Sequence, residues 1–156
     1  MTATVWTRRL QILVFACSLV FTAGTLLHGF VVMNPDTMEA TMRLAGKPPA
    51  EAADAAPGFL TGFRIVGAIY AVGNALGMLA LRGRAWVFWV ALLVNATQAA
   101  GPFGMIPAEM FQAVSDAYGP AGLLPSLITD GGALMLTLVL LATLVRYRRP
   151  WALRRH

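Results

Sequence analysis

The chain is short of charge, cysteine, histidine and lysine, and each shortage closes a class of function. Charged residues make up 12% of the 156 positions and hydrophobic ones 58%. A soluble domain carries about 25% charge, so half that share predicts a membrane protein. Cys17 is the single cysteine, which excludes an intramolecular disulfide, CxxC redox chemistry and a thiolate metal cluster. Inside an apolar run it reads as a small packing residue. The two histidines are His28 and the terminal His156; a haem held by two histidines would need both. There is no metal-ligand triad, HExxH, GxSxG or phosphate loop, so the sequence predicts no metal and no cofactor. Of the 12 basic residues, Lys47 is the one lysine. Arginine in place of lysine, with abundant alanine and glycine, fits a GC-rich bacterial genome and hence a bacterial cytoplasmic membrane.

What is present is long apolar runs closed by arginines. A helix crossing about 30 Å of hydrocarbon needs ~20 apolar residues. Four runs qualify: Leu10–Met33, Phe59–Leu81, Ala85–Ile106 and Leu123–Val145. They predict an all-α polytopic membrane protein, a four-helix transmembrane bundle forming a single domain over 1–156, with outer loops at 34–58 and 107–122. The positive-inside rule places Arg8, Arg9, Arg82, Arg84 and the tail "RYRRPWALRRH" in the cytoplasm, so both termini are expected there. All seven acidic residues fall in segments 34–58 and 106–130, on the opposite side or close to it. A pI near 10.4 would also suit a nucleic-acid partner. The arginines, however, stand at the ends of apolar runs, where they fix topology, and no nucleic acid is expected. Trp6, Trp86, Trp89, Tyr147 and Trp151 fall near the inner boundary, as an aromatic belt does.

Two segments suggest a repeat. "MNPDTMEA" (33–40) follows the first run and "MIPAEMFQA" (105–113) the third. Both contain Met-x-Pro-x-x-Met, which would make the chain two repeated helical hairpins. Helices in lipid associate through small residues. "GFLTG" (58–62), Gly67, Ala71 and "GNALG" (73–77) predict a second helix packed closely by its neighbours.

Polar side chains form a layer inside the runs. Asp130 lies 16 residues before Arg146, too deep to be left in water unless the last span were only about 22 Å long. Ser126, Asp130, Ala133 and Thr137 share one helical face. Counting 1.5 Å per residue from the inner arginines puts Asp130 at about 24 Å, Arg64 at about 27 Å, Gln98 at about 21 Å and His28 at about 28 Å. Asn95, Asn74, Thr22 and Thr25 continue the track below. An intramembrane charge costs at least ~2.5 kcal/mol and calls for a partner, and Arg64 is the expected partner of Asp130. The plain alternative is that such a pair merely fixes helix register. In the second loop, Glu109, Gln112 and Asp116 line one face of an amphipathic segment that ends at Tyr118. It reads as a lid along the outer interface, or its acids are simply a solvated face.

Two function classes follow. In the first, Asp130 and His28 act as an acid/base pair with Arg64, Glu109 and Asp116 available beside them. Gln98, Asn95, Asn74, Tyr118 and Thr25 would hold a lipophilic molecule such as an isoprenoid, polyketide or quinone, for isomerisation, cyclisation or epoxide opening. In the second, the protein is an accessory subunit of a larger membrane complex, and the layer docks a partner; a homodimer is compatible with both classes. The stretches "FVVMNPDTM" and "GFRIVGAIYAVGNALGMLAL", with Arg64 opening the second run, resemble small four-helix membrane proteins of the DoxX-like group. That resemblance covers mainly the first two runs and implies four packed helices, with Arg64 at a position where such proteins tend to carry arginine.

Overall fold

The computed structural model describes residues 2–104 and 106–154 of the chain. Regular structure among them is helical; the one strand-like contact is a bridge between Thr2 and Arg154. Helix α1 (Val5–Val32) and helix α3 (Pro49–Arg82) flank the shorter α2 (Pro35–Leu44). Helices α4 (Ala85–Phe103), α5 (Ala108–Tyr118) and α6 (Pro120–Tyr147) follow. Three of them, α1, α3 and α6, are long and apolar enough to cross a membrane, and α4 with α5 adds a fourth if that bent pair is one span. Only 28% of the most apolar window is buried in each of the three, so most of their hydrophobic residues face outward. Ile69, Leu93, Met135 and Val145 are each more than 60% exposed. Soluble monomers rarely show contiguous apolar surface on this scale.

The expected outer loops are mostly helix. Residues 34–58 contain all of α2 and the first ten residues of α3. Asn34 starts α2: its Oδ1 accepts from the Thr37 N–H at 3.0 Å and its own N–H donates to Thr37 Oγ1 at 2.9 Å. Pro35 at the first helical position and Asp36 in the first turn complete a strong start signal. The alanines of "PAEAADAAP" then carry α3 back from Phe59 to Pro49, because alanine is the best helix former. Segment 107–122 likewise holds α5, which turns 84° away from α4. Met105 lies outside the described residues, so the second Met-x-Pro-x-x-Met copy is seen only from Ile106, and His156 lies outside them too.

Helix α1 packs against α3 and α6, and α4 lies between α3 and α6, while α2 packs on α3 and α5. Two apolar cores result. The first, at the end carrying the arginines, joins Leu10, Val14, Phe21, Val87, Phe88 and Leu140. The second joins Met33, Met38, Met42, Leu60, Met110 and Val114, and so seats α2 and α5 on α1 and α3.

Trp151 belongs to the first core and not to an aromatic belt. It is 1% exposed, meets the Phe88 ring edge-on at 5.4 Å, and donates its Nε1–H to the Arg84 carbonyl at 2.9 Å. The chain reaches that position through a hook in which Arg148, Trp151 and Ala152 all have positive φ. The Thr4 hydroxyl donates to the Ala152 carbonyl at 2.9 Å, tying the two ends of the chain together. Trp6, Trp86 and Trp89 are 42–52% exposed, which suits the belt expected of them.

The small-residue contacts also differ from expectation. A Cβ on Gly58, Gly62 or Gly67 would meet nothing within 4 Å, so "GFLTG" is not a packing seam. Close approach occurs lower on α3 and on the other helices. A Cβ on Gly73 would strike Val94, and one on Gly77 would strike Ser18. One on Gly24 would strike Thr129, and one on Gly132 the Phe21 ring at 2.6 Å. The contact of Gly73 sets α3 against α4, and the other three set α1 against α3 and α6.

Candidate functional site

Beneath α2 and α5 the helices line a half-open cavity of about 980 Å³, at the upper end of the roughly 300–1,000 Å³ that small-molecule sites occupy. Its walls are chiefly apolar: Met38 and Met42 of α2, Phe59, Phe63 and Val66 of α3, and Met110 of α5. Gly58, Gly62 and Gly67 line it as well, which explains the open space above their Cα atoms. Polar groups gather at its inner wall, where Thr25 and His28 of α1, Gln98 of α4, and Ser126, Thr129 and Asp130 of α6 all reach it. Lys47 and Asp54 stand at the rim and are exposed.

His28 and Asp130 both occupy π-helical turns, His28–Val32 in α1 and Leu127–Gly131 in α6. Such turns widen the helix by one residue and frequently mark functional sites. Four residues before Asp130, the Ser126 hydroxyl donates to its Oδ2 at 2.7 Å. Gln98 Nε2 donates to Oδ1 at 3.4 Å, and the Thr129 hydroxyl lies 3.3 Å from the same oxygen. Polarity then propagates outward. Because the Gln98 amide nitrogen faces the carboxylate, its Oε1 must face away, and there it accepts from Asn74 Nδ2 at 2.9 Å. Gln98 Nε2 also reaches Thr25 Oγ1 at 3.5 Å. The chain Asn74–Gln98–Asp130–Ser126 thus crosses α3, α4 and α6.

The expected Arg64–Asp130 pair does not form. The one ion pair among the described residues is Arg43–Glu39, at 3.7 Å on the surface of α2. Arg64 instead donates from Nε to the Gly29 carbonyl at 3.3 Å and lies over the Phe30 ring at 5.4 Å. The reason is rotational: Arg64 is one residue past Phe63, which faces the cavity, and a step of about 100° turns it away. His28 makes an edge contact with the Phe63 ring at 5.8 Å, and its buried Nδ1 has no protein partner.

Of the other predicted residues, Thr25 and Gln98 reach the cavity and Asn74 joins it through Gln98. Asn95 is buried one turn below Gln98, with Nδ2 donating to the Ala91 carbonyl of its own helix at 2.7 Å. Glu109, Asp116 and Tyr118 do not line the cavity. Glu109 is half-buried and Asp116 exposed on α5, whose inward face is Met110, Ala113 and Val114. The Tyr118 hydroxyl accepts from Asn34 Nδ2 at 2.6 Å, a tie between α5 and the start of α2. What the sequence did not reveal is the α2 wall, Met38, Thr41 and Met42; their i, i+3, i+4 spacing is visible once α2 is recognised as a helix. No family model, curated protein or solved structure matches the chain.

Proposed function

We propose that this is an integral protein of the bacterial cytoplasmic membrane with four spans, both termini cytoplasmic and the cavity in the outer half of the bilayer. It binds, and in one form of the reading processes, a lipophilic small molecule of isoprenoid, polyketide or quinone-like character. One observation carries this: a cavity of about 980 Å³ with apolar walls and one polar end, where His28 and Asp130 converge from different helices. Sites for small molecules have this composition, and polar contacts that merely fix helix register would need no such space. The bent pair of α4 and α5 would supply the fourth crossing. The two segments α1–α3 and α4–α6 would then be the repeated halves, each with a short helix, α2 or α5, after its first span. The resemblance to DoxX-like proteins is part of the same proposal.

As chemistry, the site suits proton transfer. Asp130 takes a proton from a carbon or hydroxyl of the guest, and His28 in its protonated form gives one back on the other side, so that no proton is gained or lost overall. Arg64, Glu109 and Asp116 have no part in it. The test is native mass spectrometry of the protein extracted gently from its own membrane, beside Asp130→Asn. A stoichiometric small molecule held by the wild type and lost from the folded variant is the expected result. An empty wild type that co-purifies with another membrane protein would replace this reading by the accessory-subunit one.

A further inference from the structure

The polar end of the cavity is unbalanced in charge and in hydrogen-bonding sense, and the imbalance specifies a ligand. Asp130 carries the one carboxylate on the inner wall, since Asp54 is exposed at the rim. No cationic side chain of the described residues forms an ion pair with it. The arginine nearest in height, Arg64, is held by Gly29 and Phe30. His28 shares the cavity but is turned edge-on to Phe63 without bonding to the carboxylate. The donors that do reach Asp130 are neutral: the Ser126 hydroxyl and the Gln98 amide, with the Thr129 hydroxyl beside them. An intramembrane carboxylate with neutral donors alone still lacks its countercharge, and such groups pair with a cation or mark a site that receives one.

We infer that the cavity selects a cationic amphiphile: a primary or secondary ammonium group seated against Asp130, with an apolar body along the methionine and phenylalanine walls. This rests on the ligand-binding reading proposed above, keeps its apolar body and gives the guest a cationic head in place of a neutral one. The ammonium supplies the donors and the charge that the carboxylate lacks. Phe63 and Tyr70 also line the cavity, and aromatic rings attract cations. A quinone or other carbonyl head fits less well, because it could accept from the unpartnered His28 Nδ1 but brings neither charge nor donor to Asp130. Gly58, Gly62 and Gly67 leave open space on the α3 wall through which a guest would enter.

The experiment uses the full chain in neutral maltoside micelles, with three probes of similar tail length: dodecylamine, dodecanol and a decyl-benzoquinone. Binding is read by native mass spectrometry and by thermal shift for the wild type, Asp130→Asn, Asp54→Asn and Gly62→Leu. Charge-assisted bonds exceed neutral ones by about 1–1.5 kcal/mol, so the amine should bind roughly tenfold more tightly than the alcohol. That preference should fall to under about twofold in Asp130→Asn, whose amide retains the shape, and persist in Asp54→Asn, whose carboxylate is solvated. Gly62→Leu, which fills open space, should lose all three probes while melting no lower than the wild type. Equal binding of the three probes, a quinone bound best, or an amine preference that survives Asp130→Asn would overturn the inference and leave a lipophilic-ligand site standing. Failure of the wild type to bind any of them with defined stoichiometry would overturn both.

Discussion

At the arginine end, Val14, Val87, Phe88 and Leu140 have no accessible surface, and the C-terminal hook presses Trp151 in beside them. At the other end the same helices line about 980 Å³ of space. The difference comes from what fills each level. The lower helices meet through large apolar side chains and through glycines at contact, Gly77 on Ser18 and Gly132 on Phe21. Above Gln98 the α3 glycines face outward into the cavity, α1 and α6 each carry a π-helical turn, and α4 breaks into α5. Close packing rigidifies one end, and the other spends its polar groups and its volume on a site. A scaffold that positions a site in this way is expected to be most stable where it is least functional.

Mutations should separate the two ends, and the largest effect should fall on the closed one. Trp151→Ala removes a buried ring and its bond to the Arg84 carbonyl. A loss of about 3–5 kcal/mol is expected, read by reversible unfolding of the purified protein in mixed micelles. A loss below about 1 kcal/mol would mean the hook is peripheral to stability. Next comes a matched pair of glycine replacements. Gly132→Leu drives a side chain into the Phe21 ring and should cost about 1–3 kcal/mol. Gly62→Leu meets nothing and should be neutral or gain up to about 1 kcal/mol, since glycine is a poor helix former. Equal penalties would show that the cavity is occupied or collapsed.

Within the open end the effects are smaller. Ser126→Ala removes the 2.7 Å bond to Asp130 and should cost on the order of 1 kcal/mol in the same unfolding assay. The smallest is a coupling. Combining Arg64→Ala with Asp130→Asn in a double-mutant cycle should give an interaction energy below about 0.5 kcal/mol, because the two side chains share no contact. A larger value would restore the ion pair that their similar height in the sequence suggests.

That pair shows where sequence reasoning stops. Height along a helix follows from a fixed rise of 1.5 Å per residue, and height placed His28, Gln98 and Asp130 at one level, where all three line one cavity. Height says nothing about which way a side chain points around the axis. Arg64 was therefore paired with Asp130 by level alone, whereas its neighbour Phe63 takes the cavity face. The start of α2 was legible in Asn34, Pro35, Asp36 and Thr37, a capping pattern obscured by treating everything between apolar runs as loop. The hook around Trp151 was not legible, since its positive φ values occur at Arg148, Trp151 and Ala152, residues with no preference for that conformation.

The sequence by itself determined the all-helical class, the long apolar segments, their arginine ends and the set of polar residues available inside them. These depend on composition and on one-dimensional spacing, which hydrocarbon length and helical rise convert directly into structure. Only the tertiary structure decided which glycines pack and which open a wall, that Asp130 is met by Ser126 and Gln98 in place of Arg64, and that α2 and α5 roof a cavity. Each of those is set by the rotation of one helix against another, a quantity fixed by side-chain contacts between segments far apart in the chain.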